Sequence, residues 1–442
     1  MNRQAWIEYA LKEGFESFEI YELTTKGRSV TWYDGSRETF VTNNVTGIAL
    51  RGVYNGKMLN YSTENTSDDD MAKTISLMKA QASAITSEDE EVLRSPEKGE
   101  EVTNGKTFKK ANSDTINKVL KEVEKKIKNY DERVLQVSNM EYSEEVVERH
   151  IVNSLGLEVN DGITVNYLVS GIAVKEGDDI KTDFDYTVVE DLEVMDSDKF
   201  AKDLVEGALD RLNATSLPSN SYPVVMDHKA MTMLFSVLVP TMFSGDLIGK
   251  GISPLKDKLN TQIFSEKIKV IDNPKYEKAF NIYNYDDEGC PTREKVLVDA
   301  GVFKEMLHDT KSANRMNTSS TGNGFKGDYD SKVSVSPKNC YIENGDKALE
   351  EILKEMNEGL VITDLDGLHA GINHTTTDFS LQASGYYVKD GKKDYAVTLI
   401  TVAGNFLDMM KDVVEVADDI EWRLNTISTP SIYFKSLAIS GE

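Results

Sequence analysis

Two long stretches rich in β-branched and aromatic residues limit most strongly what this chain can fold into. The first, residues 17–63, contains the segments YDG and YNG between runs of alternating character. Asp-Gly and Asn-Gly at such places are strong signals for two-residue β-hairpin turns. The second stretch, from about 133 to 190, has the same composition. We therefore expect antiparallel hairpins in both stretches.

The two stretches also resemble each other. The segment NVTGIALRGVYNGKMLNYST in the first matches YLVSGIAVKEGDDIKTDFDYT in the second in its order of features. Each has a Gly-Ile-Ala core, a turn, and a closing strand of polar and aromatic residues. This order is compatible with a weak internal duplication, but two hairpin meanders often look alike by chance, and chance similarity is the favoured interpretation.

Helical patterns flank the β stretches and complete an N-terminal α+β domain over residues 1–215. They lie at 2–15, around 68–85, around 112–129, and at 196–214, where Asp196 or Ser197 is the expected cap. The polar segment TSEDEEVLRSPEKGEEVTNGK between the second and third helices predicts a solvated surface loop. At 442 residues the chain is too long for one ordinary core. The segment TSLPSNSYP is the expected boundary before a β-rich C-terminal domain, residues 220–442.

One long apolar segment stands at the centre of the chain. After the strand-like YPVVMD comes HKAMTMLFSVLVPTMFSGD, with apolar residues on all sides of a helix over 230–243. Such a helix is expected in the core rather than at a surface. Pro240 cannot donate to the carbonyl of Ser236, which predicts a kink near 236–240. The overall fold class is therefore α+β, with an N-terminal antiparallel sheet and helices and a C-terminal β-rich domain around a buried central helix.

Charge and targeting signals exclude several classes of function. The formal net charge is -25, spread along the chain, and no cluster of Lys and Arg is present to bind nucleic acid or an anionic membrane. No N-terminal signal core or span of ~20 apolar residues is seen. The two cysteines form no metal-ligand spacing. We expect a cytoplasmic protein without nucleic-acid or membrane partners.

Four ordered motifs carry a resemblance to a known family. They are YNYDDEGCPTREKVLVDAGVF, SANRMNTSSTGNG, TTTDFSLQASGYYVKDGK and VTLITVAGNFLDMMKDVVEVADD. In order and spacing they resemble the TldD/PmbA family, also called modulators of DNA gyrase. The resemblance covers most of residues 220–442 and extends more loosely over the N-terminal half.

The resemblance implies a metalloprotease system built from two related subunits, with the cleft in the C-terminal domain. The TldD-like subunit carries the pattern L-F-H-E-x-x-x-H-x-x-x-G-D, which falls here on residues 234–246. The first His position is Ser236, the Glu position Val237 and the second His position Thr241. Hydroxyl groups are poor zinc ligands and valine cannot act as a general base. No catalytic or metal-binding residue is therefore assigned, and the chain resembles the PmbA (TldE) subunit, which lacks the motif.

A second motif agrees with this interpretation. Catalytic members of the family carry a Gly-rich, Cys-containing loop near the C-terminus, and this chain has NTISTPSIYFKS there, without Cys. The expected function is that of the non-zinc partner, which completes and positions a cleft for short or unfolded peptides. Zinc is expected in a TldD-like subunit that forms a heterodimer or heteromer with this chain. The alternative is a self-sufficient homodimer that binds peptides or regulates a topoisomerase, and any activity intrinsic to this chain is left open.

Two groups of residues are candidates for the substrate cleft. In the loop STGNGFKGD, the glycines would let a peptide backbone approach closely, which makes Gly322, Asn323 and Gly324 candidates. His374, Asp378 and Ser380 form the second group, with plain hairpin structure as the alternative interpretation. His374 could also form a metal pair with His369, although no third ligand lies nearby in the sequence.

The acidic segment YDDEG, residues 285–289, also allows two interpretations. Its three carboxylates could serve acid catalysis or calcium binding. An acidic tight turn is favoured, because Asp and Gly stabilise turns through their backbone preferences.

Overall fold

The computed structural model describes residues 1–84 and 92–442. Its N-terminal half consists, in chain order, of α1 (Arg3–Lys12), β1 (Ser17–Tyr33), β2 (Ser36–Tyr54), β3 (Lys57–Thr63), α2 (Met71–Gln81), α3 (Ser113–Tyr130), β4 (Val134–Asn153), β5 (Glu158–Glu176), β6 (Asp179–Val188) and α4 (Ser197–Leu209). The strands form one antiparallel sheet in the order β3-β2-β1-β4-β5-β6. The sequence patterns predicted these hairpins and helices.

The two predicted hairpin turns connect β1 to β2 and β2 to β3. Asp34 and Gly35 have φ of 43° and 78°, and Asn55 and Gly56 have φ of 51° and 70°. Positive φ at both central residues is what a type I′ turn requires, and Asp-Gly and Asn-Gly tolerate it. The turn residues therefore fix the register of the first three strands.

The sheet has the two-fold topology that an internal duplication would give. Each half is a helix, a three-strand meander and a second helix, and the strand order is symmetric about the antiparallel pair β1–β4. Ile48 and Ile172, from the two Gly-Ile-Ala cores, are 0% and 1% exposed. They face two separate apolar clusters, one under α1 and α2 and the other under α3 and α4. Each meander thus buries one face under its own pair of helices.

The C-terminal half contains, in chain order, β7 (Asn220–Met226), α5 (His228–Met242), α6 (Gly245–Gly249), β8 (Val270–Asp272), β9 (Lys295–Asp299), β10 (Val302–Phe303), α7 (Thr310–Arg315), β11 (Gly324–Phe325), β12 (Ser334–Val335), β13 (Cys340–Ile342), α8 (Leu349–Met356), β14 (Gly359–Asp366), β15 (Asp378–Lys389), β16 (Lys392–Asn405), α9 (Phe406–Lys411), β17 (Val413–Val416), β18 (Ile427–Ser428) and β19 (Ile432–Ser440). This mixture of short helices and many strands agrees with the predicted α+β class.

The larger C-terminal sheet has the order β16-β15-β14-β7-β19-β17, in which β7 and β14 run parallel. Strand β16 also pairs with β19, so β7, β14, β15, β16 and β19 form a closed ring of hydrogen-bonded strands. A second sheet, β10-β9-β8-β13-β18, lies across the same apolar core. Helix α5 packs within this core, and its position fixes the candidate site described below.

The segment between α2 and α3 differs from the predicted free surface loop. Residues 86–91 of that prediction lie outside the described residues. From 92 onward the segment is largely exposed but bonded to the C-terminal half: the backbone of Val102 exchanges hydrogen bonds with the side chain of Asn284, and Asn104 donates to the carbonyl of Phe280. Leu93 is buried. The sequence did not show these contacts, because polar residues are as typical of a segment bound by hydrogen bonds as of a free loop. The partners here are side-chain amides and carbonyls that lie ~180 residues away in sequence.

Among the described residues, no helix combines the length and apolar character needed to cross a membrane.

Candidate functional site

Helix α5 begins directly after β7, the strand that brings its first turn to the edge of the core. The side chain of Asp227 accepts a hydrogen bond from the N–H of Ala230 at 2.8 Å, which caps the helix. The N–H of His228 is bonded to the hydroxyl of Ser431 at 3.0 Å. The helix continues through Pro240 and ends two residues later, so the proline lies in the last turn. The bend itself stays a prediction.

One side of α5 is buried and the other is not, which corrects the expectation of burial all round. The buried residues are Ala230, Met231, Leu234, Phe235, Leu238, Val239 and Met242. Lys229, Met233, Ser236, Val237 and Thr241 are half-buried or exposed. Lys229, Met233, Val237 and Thr241 recur every four residues, and Ser236 lies three residues after Met233, which places all five along one face. Apolar residues on this face misled the sequence pattern, because methionine and valine are tolerated at a half-exposed surface.

The half-exposed face carries the three positions that the family pattern assigns to zinc chemistry. Zinc requires nitrogen, sulfur or carboxylate ligands, and a hydrolytic site also needs a proton acceptor. Ser236 and Thr241 supply hydroxyl groups and Val237 supplies an apolar side chain. Across the part of the chain that the structure describes, no group of three His, Cys, Asp or Glu side chains is arranged to hold a metal ion. The donor set on this helix therefore does not fit zinc.

The C-terminal loop that precedes β19 contacts the same helix through hydroxyl groups. The hydroxyls of Thr232 and Thr429 lie 3.0 Å apart, and the N–H of Thr429 donates to Thr232 at 3.0 Å. Thr429 is 1% exposed. In this chain the loop thus packs against α5 by neutral hydrogen bonds and offers no thiolate.

A cleft of about 780 Å³ lies between this side of α5 and the N-terminal sheet. Lys229 and Met233 line it from the helix, Asp364 from β14, and strands β4, β5 and β6 from the other side. One arginine of its wall pairs across the two halves: Arg211 lies 3.3 Å from Asp183 and 3.8 Å from Asp364. The volume falls in the ~300–1,000 Å³ range of ligand pockets. The cleft is therefore large enough for a few residues of an extended peptide.

A row of charged side chains links the first turn of α5 to β6 at the rim of the cleft. His228 Nε2 lies 3.2 Å from Glu421, Glu421 accepts from Arg423 at 3.0 Å, and Arg423 is 2.5 Å from Asp185. Burial opposes protonation of His228, yet the hydrogen bond to Glu421 and the charge of Asp227 raise its pKa overall. The His228 hydrogen bond, together with Arg423, lowers the pKa of Glu421 to about 2. The rim is thus held by charge pairs that span both halves.

The first group of predicted cleft residues is buried. Gly322, Asn323 and Gly324 are inaccessible to solvent and line none of the cavities described here. Asn323 is 0% exposed and accepts from Lys295 at 2.9 Å while it donates to Asp272 at 3.0 Å. The part of this loop that lines a cavity begins one residue later, at Phe325, which borders a second, smaller cavity between the two halves. Direct peptide contact by the three residues stays a prediction.

The two glycines of that loop serve close packing. A side chain at Gly322, where φ is +72°, would meet the carbonyl oxygen of Pro291 at 2.6 Å, and one at Gly324 would meet Glu288 at 2.6 Å. The loop therefore lies directly on the acidic turn, and its glycines permit this approach.

The second group of predicted residues is exposed at one end of the C-terminal sheet. His374, Asp378 and Ser380 are all on the surface. Asp378 accepts from the hydroxyl of Thr376 at 2.6 Å and from Asn405 at 2.9 Å, bonds that hold the loop before β15 and lower the pKa of its carboxyl. These contacts match the hairpin interpretation, and peptide contact by this group also stays a prediction.

The acidic segment 285–289 forms the favoured tight turn, with a role that the sequence did not reveal. Asp286 accepts from the N–H groups of Glu288 and Cys290, at 3.0 and 2.8 Å, and Gly289 has a φ of 76°. Asp287 binds Arg149 of β4 at 2.6 Å. The turn therefore joins the N-terminal sheet to the C-terminal half.

A second arginine completes this junction. Arg51 of β2 binds Glu19 at 2.6 Å and lies 3.7 Å from Glu288. All three side chains are at most 10% exposed. Sequence reasoning missed these residues, although a signal existed: Arg51 interrupts the apolar run GIALRGV, and a charge inside a buried strand requires a partner.

Comparisons with known proteins agree with this architecture. Profiles of the PmbA/TldA metallopeptidase domain 1, central domain and C-terminal domain match residues 18–82, 106–212 and 219–441. A metalloprotease PmbA homolog of Buchnera aphidicola is 29% identical over 313 residues, which cover 70% of this chain and 67% of that relative. A TldD homolog from the same species is 29% identical over 51% of this chain and 46% of its own length.

Solved structures are similar over the whole chain. A Thermotoga maritima protein named as a modulator of a DNA gyrase superposes with a TM-score of 0.89 at 28% identity and covers 99% of both chains. TldE of Thermococcus kodakarensis gives a TM-score of 0.90 at 24% identity with the same coverage, which shows the shared fold.

Proposed function

Because the chain belongs to the PmbA/TldD metallopeptidase family, we propose that it is the PmbA (TldE)-like subunit of a peptidase whose zinc is held by a TldD-like partner. In this proposal the chain completes and positions the cleft in which short or unfolded peptides are cut. The single observation that carries the proposal is the half-exposed face of α5. Its first turns border a cleft of suitable size through Lys229 and Met233, and further along the same face Ser236, Val237 and Thr241 offer neither a zinc ligand nor a base.

One further observation supports a cleft without chemistry of its own. Arginines at its wall and rim are paired with carboxylates, as in Arg211 with Asp183 and Arg423 with Asp185. Residues paired in this way suit the shaping of a cleft.

The experiment co-expresses this chain with a TldD-like chain from the same organism. We expect a complex by native mass spectrometry and zinc-dependent cleavage of an unfolded peptide only when both chains are present. Met233→Glu in the cleft should reduce cleavage while the complex persists. Leu399→Glu, an exposed site away from the cleft, is the matched control and should leave cleavage unchanged. Absence of a complex would count against the proposal, and so would a cleavage rate that is the same in Met233→Glu as in the unchanged chain.

The alternative of a self-sufficient homodimer has one observation in its favour. Strand β2 extends beyond β3, and its residues 36–45 are all exposed, including Phe40, Val41 and Val45. Open strand edges of this kind favour association with another chain. The native mass of the isolated chain distinguishes the heteromer from the homodimer, since a stable dimer without a TldD-like chain supports the homodimer.

A further inference from the structure

A second, smaller cavity of about 220 Å³ lies at the junction between the two halves of the molecule. Strands β1, β4 and β5 form one wall, with Tyr21 and Arg149. The C-terminal half forms the other, with Tyr283, Phe325 and two lysines. The volume is below the ~300–1,000 Å³ of typical small-molecule pockets. An occupant must therefore be a small group, such as a short acid or the end of a chain.

The two lysines, Lys326 and Lys338, present their ammonium groups to aromatic rings. Lys326 Nζ lies 4.6 Å from the ring centre of Tyr21 and donates to one backbone carbonyl at 3.0 Å. Lys338 Nζ lies 4.6 Å from Phe325 and 5.1 Å from Tyr283. Over the described ranges 1–84 and 92–442, neither ammonium forms an ion pair with a carboxylate. The two ammonium groups thus rest on aromatic rings rather than within ion-pair distance of a carboxylate, although the charge of Asp287 acts on both.

The carboxylates of Asp161 and Asp287 in the inner wall already accept hydrogen bonds. Asp161 accepts from Arg149 at 2.8 Å, and Asp287 accepts from the same guanidinium at 2.6 Å and from the hydroxyl of Tyr21 at 3.0 Å. The second oxygen of Asp287 accepts from a backbone N–H at 2.7 Å. The carboxylates of Asp161 and Asp287 are therefore occupied by donors, while Asp328, which also lines the cavity, is exposed. An anion beside the inner wall would find two ammonium donors.

Burial makes both ammonium groups costly to keep charged. It lowers the pKa of Lys326 to about 8, with a further contribution from the charge of Arg51, and it also lowers the pKa of Lys338. Partly desolvated ammonium groups regain stability when a carboxylate accepts charge-assisted hydrogen bonds from them. The aromatic rings of the wall can pack against the apolar stem of such a ligand.

We propose that this cavity binds a carboxylate group, held by Lys326 and Lys338, with its stem against Tyr21, Tyr283 and Phe325. The carboxylate could belong to a small organic acid or to the C-terminus of a short peptide. The proposal stands apart from the proposed function, since it involves neither α5 nor a partner chain.

The test is calorimetric titration of the full chain with tri-alanine, tri-alanine amide, propionate and inorganic phosphate. We expect saturable binding of tri-alanine and none of its amide. Lys326→Met and Lys338→Met should each weaken binding about tenfold or more, the loss of one charged hydrogen bond. Lys338→Arg keeps the charge and should bind nearly as well as the unchanged chain. Lys332→Met, at an exposed lysine outside this cavity, is the matched control and should bind unchanged.

Each outcome either supports or overturns carboxylate binding in this cavity. Equal binding of propionate and tri-alanine would support a small-acid ligand, and tighter binding of tri-alanine would support a peptide terminus. No saturable binding of either, equal binding to the methionine variants, or tighter binding of phosphate would overturn the proposal. If a methionine variant fails to fold, amine acylation of the unchanged chain replaces it. Protection of Lys338 by tri-alanine then supports the site, and its absence overturns it.

Discussion

Helix α5 and the junction between the two halves differ in where they keep charge. The half-exposed face of α5 carries the three positions that the family pattern assigns to metal chemistry, and these positions have two hydroxyls and an isopropyl group. The junction, which no motif marked as a site, buries Arg51 and Arg149 together with the carboxylates of the acidic turn. The difference teaches that buried charge can be concentrated where two halves of a molecule meet while the motif positions of a nearby helix carry no charge.

The largest effect should come from breaking the junction. Arg149→Met leaves Asp287 and Asp161 without their cation, and the free energy of unfolding should fall by about 3–5 kcal/mol. Urea denaturation measures it. Lys199→Met, which removes the exposed pair with Asp203, is the control and should cost less than about 0.5 kcal/mol. An Arg149→Met chain as stable as the control would show that the junction charges contribute little.

The two sides of α5 should respond unequally to shortening. Leu238 is 0% exposed, and Leu238→Ala should lower the free energy of unfolding by about 2–5 kcal/mol through lost contacts and a cavity. Ser236→Ala, on the half-exposed side, should change it by less than about 0.5 kcal/mol. The same denaturation series measures both. A large loss at Ser236 would mean that its hydroxyl has a structural partner and that the cleft side is not inert.

The cap of α5 predicts a dependence on pH. Burial raises the pKa of Asp227 to about 6, above the ~3.9 of an unfolded Asp. The folded chain therefore binds the extra proton between these values, and stability falls as pH rises from about 4 to 6. Asp227→Asn keeps the bond to Ala230 without the charge. It should gain about 2–3 kcal/mol over the unchanged chain between pH 4 and pH 7, and a gain that is the same at both pH values contradicts the assignment.

The smallest effect concerns the rim of the cleft. Glu421→Gln removes the main group that raises the pKa of His228, so this pKa should fall, as followed by NMR titration of the imidazole. A raised pKa stabilises the fold below about 6.5, and this contribution is lost as pH rises through the folded value. In Glu421→Gln this contribution of His228 protonation to stability should be smaller. Glu415→Gln, at the distant pair with Lys267, is the control, and an unchanged His228 titration in Glu421→Gln would refute the network.

The sequence predicted local structure well where short-range chemistry decides it. The Asp-Gly and Asn-Gly turns, the cap at Asp196 and the position of α5 all follow from residues within one or two turns of each other. The likeness of the two meanders was visible in their shared Gly-Ile-Ala pattern, although the sequence alone favoured chance similarity over duplication. These features needed no knowledge of distant contacts.

The site was only partly predictable, because its geometry depends on contacts between distant segments. Asn323 was expected at a cleft and is instead held by Lys295 and Asp272, residues 28 and 51 positions away in sequence. The pairing of Arg149 with Asp287 joins residues 138 positions apart. No local pattern reports such partners. Arg51, a charged residue inside an apolar strand, was the one sequence feature that indicated a distant partner.

The most direct test of the central claim is the zinc content of the isolated chain, measured together with its peptide cleavage after loading with zinc. Our account predicts far less than one tightly bound zinc per chain and no cleavage, with activity appearing when a TldD-like chain is added. Stoichiometric zinc in the chain alone, accompanied by cleavage that a chelator abolishes, would contradict it.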